Sequence, residues 1–197
     1  MPMNGYGTLF EWLIVIGVIL ALIYTSFIIK NEKNTFLETA LPIDFHGYRF
    51  LIPSWWDKTL DEVDTLTFER TDTRYDWKAT FTWMPFEGEG MLIEDKFKSL
   101  MKEREILFDP DTGDILNPAD FCDHPLSTSS PSTEMVRIEG MATQEQVDRI
   151  YYDAFLLKDK EQKAFLLCES RSSILNGLVE GPYFEEAILR LDIKKAT

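Results

Sequence analysis

Apolar residues are spread along this chain in three different rhythms. From Trp12 to Ile29 they run without a charge or a proline, WLIVIGVILALIYTSFII. At 1.5 Å per helical residue this run covers about 27 Å, close to the hydrocarbon thickness of a bilayer. It predicts a single transmembrane helix over 12–29, preceded by a tail at 1–11 and followed by a polar connector at 30–41, KNEKNTFLETAL. A buried core helix and a cleaved signal peptide share this composition. Residues 1–11 hold no Lys or Arg, and the run ends on Tyr24, Phe27, Ile28 and Ile29 without a small-residue cleavage pattern. Retention as an anchor is therefore the expectation.

Beyond Pro42 the period drops to two. Strands are expected at His46–Pro53, at Leu66–Arg70 and at Trp77–Met84, where alternation puts Trp77, Ala79, Phe81 and Trp83 on one side. A period of 3.6 then takes over. Leu92, Ile93, Lys96, Phe97, Leu100 and Met101 form a stripe that predicts a helix over Met91–Leu107. Residues 109–134 hold four prolines and a Ser/Thr patch, and read as a long loop. Three more strands follow at Met135–Met141, Val147–Lys158 and Lys163–Ser170, the last two joined as a hairpin across 159–162. Gly181-Pro182 is expected to open a final helix, with Phe184, Ile188 and Leu191 on its apolar face. The fold class is α+β: after the N-terminal transmembrane helix, a globular domain over 42–197 in which an antiparallel sheet packs against two helices, expected on one face.

The chain has 197 residues, 45% hydrophobic and 13% aromatic, enough for one domain with a real core. A net charge of -14 and the lack of any basic run exclude nucleic acid as a partner class. Cys122 and Cys168 form no CxxC or finger spacing, so a structural zinc site is not expected; either one disulfide or two separate thiols fits the count. No cofactor motif occurs: there is no GxGxxG and no P-loop.

Candidate chemistry is sparse. Asp109, Asp111, Asn117 and Asp120 fall at positions 1, 3, 9 and 12 of a calcium-type loop, DPDTGDILNPAD. Gly113 stands where a ligand belongs, Asp114 replaces the turn glycine and the last ligand is short, so an ordinary turn is favoured. Cys122 and His124 could share a metal only if His46 converged on them. The two histidines lack a Ser/His/Asp or Cys/His context, the serines at 127, 129, 130 and 132 lie in a loop, and Glu87 and Glu89 flank a glycine in a polar turn. The expectation is a protein that is not an enzyme. Two features point to partners. Gly17, Ala21 and Thr25 recur every four residues, so three small side chains share one helix face. The adjacent pairs Trp55-Trp56 and Tyr151-Tyr152 must each split between opposite faces, so one of each pair is a candidate interface aromatic.

The segment GYRFLIPSWWD (47–57) resembles the strand, proline, tryptophan and turn that open PsbP/Mog1/DcrB-type domains, and the order of strands and helices over 43–193 is similar. The resemblance implies a non-enzymatic accessory, binding or chaperone-like domain. Two functions are carried forward. One is an accessory or scaffold subunit of a membrane complex, meeting other subunits through the helix and the aromatic surface. The other is a tethered binding module (sensor, chaperone-like or toxin-neutralising) for a small apolar ligand or peptide. Lys30 and Lys33 place the domain on the cytoplasmic face by the positive-inside rule, with the extracytoplasmic side as the alternative.

Overall fold

A computed structural model describes residues 5–71, 76–86, 91–117, 132–145 and 147–193. The chain divides into two compact units, Met1–Ala40 and Leu41–Thr197. The first is one helix, α1 (Gly5–Thr39). The connector expected at 30–41 is helical as far as Thr39. It holds no glycine or proline, and its Lys, Glu and Leu residues are good helix formers. The helix ends where Pro42 restricts Leu41 to extended backbone. Every large apolar side chain described from Phe10 to Ile28 is exposed, so α1 is no core helix. It is long and apolar enough, over Phe10–Thr39, to cross a membrane.

The second unit holds β1 (Leu41–Phe45), β2 (Tyr48–Ile52), β3 (Asp57–Asp61), β4 (Thr65–Glu69), β5 (Trp77–Pro85), α2 (Ile93–Glu103), β6 (Ile106–Phe108), β7 (Thr133–Gln144), β8 (Asp148–Asp159), β9 (Ala164–Ser172), α3 (Ile174–Leu189) and β10 (Asp192–Ile193). An antiparallel sheet runs β3-β4-β5-β9-β8-β7-β6, and a smaller sheet runs β1-β2-β10. The strand expected at His46–Pro53 forms as β2, and it is the second arm of a hairpin whose first arm, β1, precedes it. Phe45 pairs with Tyr48, and His46 (φ 47°) and Gly47 (φ 82°) turn the chain between them. Two consecutive positive φ values suit the twist of a two-residue hairpin loop. The helix expected to reach Leu107 stops at Glu103, because Ile106 to Phe108 pair with Ala142 to Gln144. At the opposite end β3 is exposed along its whole length, and its pairing with β4 slips between Lys58 and Leu60. The 159–162 hairpin is closed by Asp159, whose Oδ1 accepts the backbone N–H groups of Glu161 (2.8 Å) and Gln162 (3.0 Å).

The helices lie on opposite faces of the large sheet, not on one. Alternate residues of β8 show it: Phe155 and Leu157 pack with Phe184 and Ile188 of α3 and with the small sheet, whereas Ala154 and Leu156 pack with Phe97 and Leu100 of α2. The near-continuous apolar runs AFLL in β8 and β9 follow from burial on both faces. Helix α3 starts at Ile174, well before the Gly181-Pro182 expected to open it. Pro182 sits inside, at the cost of one intrahelical hydrogen bond. The extra turns cover β8 at Gly177, where an added Cβ would fall 2.2 Å from Cδ1 of Tyr151.

Candidate functional site

Tyr151 and Tyr152 separate to opposite faces as the pleat requires, whereas Trp55 and Trp56 lie in the turn before β3 and converge on one carboxylate; neither pair makes an apolar surface. Trp56 is buried, stacks on Trp77 at 4.2 Å and donates Nε1–H to Oε2 of Glu180 at 2.9 Å. Trp55 is half-buried, packs edge-on against Tyr183 at 5.0 Å and donates to the same Glu180 oxygen at 3.3 Å. Arg70 bonds the other oxygen of Glu180, a carboxylate only 2% exposed. Two indoles and a guanidinium thus lock α3 to the start of β3 and the end of β4. Tyr151 is half-buried under α3, with its hydroxyl on Glu139, while Tyr152 is buried with its hydroxyl on Glu169. Trp56 and Tyr152 are therefore core residues and not interface aromatics.

A buried ionic cluster escaped the sequence. Arg137 of β7 donates Nε–H and Nη2–H to the two oxygens of Asp153 of β8, each at 3.0 Å. Nη2 also lies 2.8 Å from Glu139, Nη1 lies 3.4 Å from Glu185, and the guanidinium sits 5.0 Å above the Phe155 ring. Burial pushes the Asp153 carboxyl up to about 7 against the pull of Arg137, and the nearby Glu139 and Glu185 add to the rise. A perturbed carboxyl marks a candidate acid or base. Asp153 is 1% exposed and held by a two-point ion pair, which is a structural arrangement.

A cleft opens where β4, β5 and the end of β9 lie beyond the cover of α2. Its volume is about 310 Å³ and its wall includes Thr67, Lys78, Thr80, Arg104, Tyr152 and Arg171. Register explains the arrangement: Thr67 pairs with Thr80, Thr80 with Glu169, and Lys78 with Arg171, so these side chains share one face. Glu169 sits on the floor, accepting from the Tyr152 hydroxyl and pairing with Arg104 Nη2 at 2.9 Å. Burial raises the Glu169 carboxyl, and Arg104 and Tyr152 pull it back. Alternation of Thr and Lys with apolar residues in β4 and β5 was the signal available in the sequence; the facing of Lys78 and Arg171 was not.

The other expected positions are dispersed. Asp109 of the calcium-type loop is held at both oxygens by Arg149, at 2.7 and 2.8 Å, and these bonds keep its carboxyl below the usual range. The main chain there turns back on β7 through Thr112, whose Oγ1 donates to the Met141 carbonyl at 3.1 Å. Asp111 and Asn117 are exposed, and Asp120 lies outside the described residues. The first position of the calcium-type loop is thus engaged by a guanidinium, in keeping with the ordinary turn that the sequence favours. His46 stacks on Trp83 at 4.2 Å with Nε2 2.6 Å from the Val63 carbonyl; Cys122, His124, Glu87, Glu89 and the serines at 127, 129 and 130 lie outside the described residues. Cys168 is a free thiol buried in the core, and burial raises it. On α1, Gly17 faces open space, and Thr25 turns its hydroxyl to its own helix, donating to the Ala21 carbonyl at 2.8 Å.

The fold has clear counterparts among solved structures. Cyanobacterial PsbP (CyanoP) from Synechocystis sp. PCC 6803 superposes with a TM-score of 0.53 at 10% identity, over 79% of this chain and 93% of that one. The Ran-binding protein Mog1p of Saccharomyces cerevisiae superposes with a TM-score of 0.51 at 4% identity, over 79% of this chain and 96% of that one. The globular unit therefore has the PsbP/Mog1-type architecture that the 47–57 segment suggested. No protein-family model and no curated protein matches the sequence.

Proposed function

We propose that this chain is a single-pass membrane protein whose α+β domain is a non-enzymatic accessory or scaffold subunit of a membrane complex. The observation that carries the proposal is the continuous exposure of apolar side chains from Phe10 to Ile28 on a helix of membrane-crossing length. Such a surface is costly in water and is satisfied by lipid or by another apolar helix. The likeness to PsbP and Mog1 supports a domain that works through protein contacts. Gly17 offers a close-approach point for a neighbouring helix, since nothing lies within 4 Å of an added Cβ there. A non-enzymatic reading is supported by the state of the buried acids: Asp153, Glu169 and Glu180 are each tied to an arginine, and Asp159 accepts the hairpin N–H groups of Glu161 and Gln162.

Alkaline carbonate washing should leave the chain in the membrane pellet, and mild-detergent purification should recover partners in fixed stoichiometry. Release into the supernatant, or a lone monomer in several detergents, would refute the proposal. The Lys30 and Lys33 bias favours the cytoplasmic face over the extracytoplasmic one. A Val147→Cys variant in a Cys122→Ser background reports the side, since Val147 is 79% exposed. An impermeant maleimide should label it only in broken cells.

A tethered module for an apolar ligand is less well supported. The space under α3 is filled by Phe184, Ile188 and Leu191, and the cleft of about 610 Å³ beside α2 mixes the apolar Met101, Ile106 and Ile138 with the charged Glu94, Lys98, Lys102 and Asp114.

A further inference from the structure

The cleft beyond α2 carries a charge pattern that the fold itself does not need. Lys78 and Arg171 stand directly opposite each other across β5 and β9. Like charges in that position destabilise an antiparallel pair. Their counter-charges sit at a distance: Glu69 is 3.7 Å from Lys78 Nζ, and Asp148 is 3.6 Å from Arg171 Nη2. Both separations exceed hydrogen-bond range, and ion pairs this exposed contribute little. Arg104 closes a third side of the same cleft, with its guanidinium fixed by Glu169. Among the described residues Glu169 is the one carboxylate lining the cleft, and Arg104 and the Tyr152 hydroxyl both engage it. Three cations thus face one small volume on a chain whose net charge is -14. Between them lie the Thr67 and Thr80 hydroxyls, 3.5 Å apart.

We propose that this cleft binds a small oxyanion, a phosphate or carboxylate group, bridged between Lys78 and Arg171 and supported by Arg104 and the Thr80 hydroxyl. The anion neutralises the facing cations, takes charge-assisted hydrogen bonds from a planar guanidinium and an ammonium, and uses the threonine hydroxyl as a further donor. The volume of about 310 Å³ limits the ligand to a compact one, at the small end of ligand-binding clefts. This inference is independent of the membrane proposal, because no residue of α1 takes part.

Calorimetric titration of the detergent-solubilised full chain at low ionic strength tests it, with inorganic phosphate, citrate and a short-chain phosphatidic acid below its micellar concentration as probes. Saturable binding of phosphate or citrate is expected. Lys78→Gln and Arg171→Gln should each weaken it about tenfold, the loss of one charge-assisted bond. Arg149→Gln, elsewhere on the surface, should leave it unchanged. Tighter binding of phosphatidic acid than of phosphate assigns the anion to a lipid headgroup, and equal binding assigns it to a free solute; either supports the site. A second measurement needs no variant. Phosphate should shift the backbone amide resonances of Thr80, Glu169 and Arg171 in the unaltered protein. Absence of saturable binding by all three probes, binding that survives the double Lys78→Gln/Arg171→Gln change, or shifts confined to other regions would overturn the proposal.

Discussion

The two faces of the large sheet follow different rules. The face under α3 is closed: Trp77, Ala79 and Phe81 of β5, Leu66 and Phe68 of β4 and Cys168 of β9 are all buried against the helix and the small sheet. The other face is closed only where α2 lies, and the β4–β5–β9 corner holds Thr67, Lys78, Thr80 and Arg171 instead. One strand serves both. In β5, Trp77, Ala79 and Phe81 build the core, while Lys78 and Thr80 line the cleft. A strand covered on one side therefore supplies rigidity to residues that face solvent on the other.

That contrast gives an ordered set of tests. Phe81→Ala, on the closed face, should cost about 3–5 kcal/mol in denaturant unfolding, from lost transfer energy and the cavity left behind. Arg137→Ala should cost about 3–5 kcal/mol, because Asp153 would remain buried without its partner. Most of that loss should be recovered in Arg137→Met/Asp153→Leu, which leaves the site apolar. Full loss in the double variant would mean that the ion pair is not the source. A pH effect comes next. Asp153 rises from an ordinary 3.8 to about 7 in the folded protein. The folded state therefore holds the proton more tightly than the unfolded state, and the associated stability is complete below pH 3.8 and lost as pH climbs through about 7. The melting temperature should fall between pH 5 and pH 8, and Asp153→Asn should flatten that slope. An unchanged slope would remove Asp153 as its cause. The smallest effect belongs to Thr80→Ala, one position from Phe81, which should stay within about 1 kcal/mol because it faces the cleft.

The sequence was legible where one period ruled a long segment. The apolar run of α1, the alternation of β5 and the stripe of α2 all formed as their patterns require. Four strands went unrecognised: β1, β3, β6 and β10, each of two to five residues. Strands that short carry too few positions for a period, and DKTLD in β3 has almost no apolar residue to alternate. Helix α3 was placed late because Pro182 is a good first residue, and nothing local revealed that β8 and β9 would hold an earlier turn in place. The binding cleft and the Arg137 cluster were invisible for a different reason. Each depends on residues brought face to face by strand register, Lys78 with Arg171 and Arg137 beside Asp153, and register is a property of the whole sheet.

The slipped, fully exposed strand at the β3 end of the sheet has its own consequence. An unpaired edge is a template for another chain, and copies at high concentration would meet edge to edge. Asp57, Lys58 and Asp61 put charge along that border, and the bulge between Lys58 and Leu60 bends its row of donors and acceptors out of line. The opposite border, β6, spans only three residues. Among the described residues, crowding therefore finds no long flat strand at either border of the large sheet on which to polymerise.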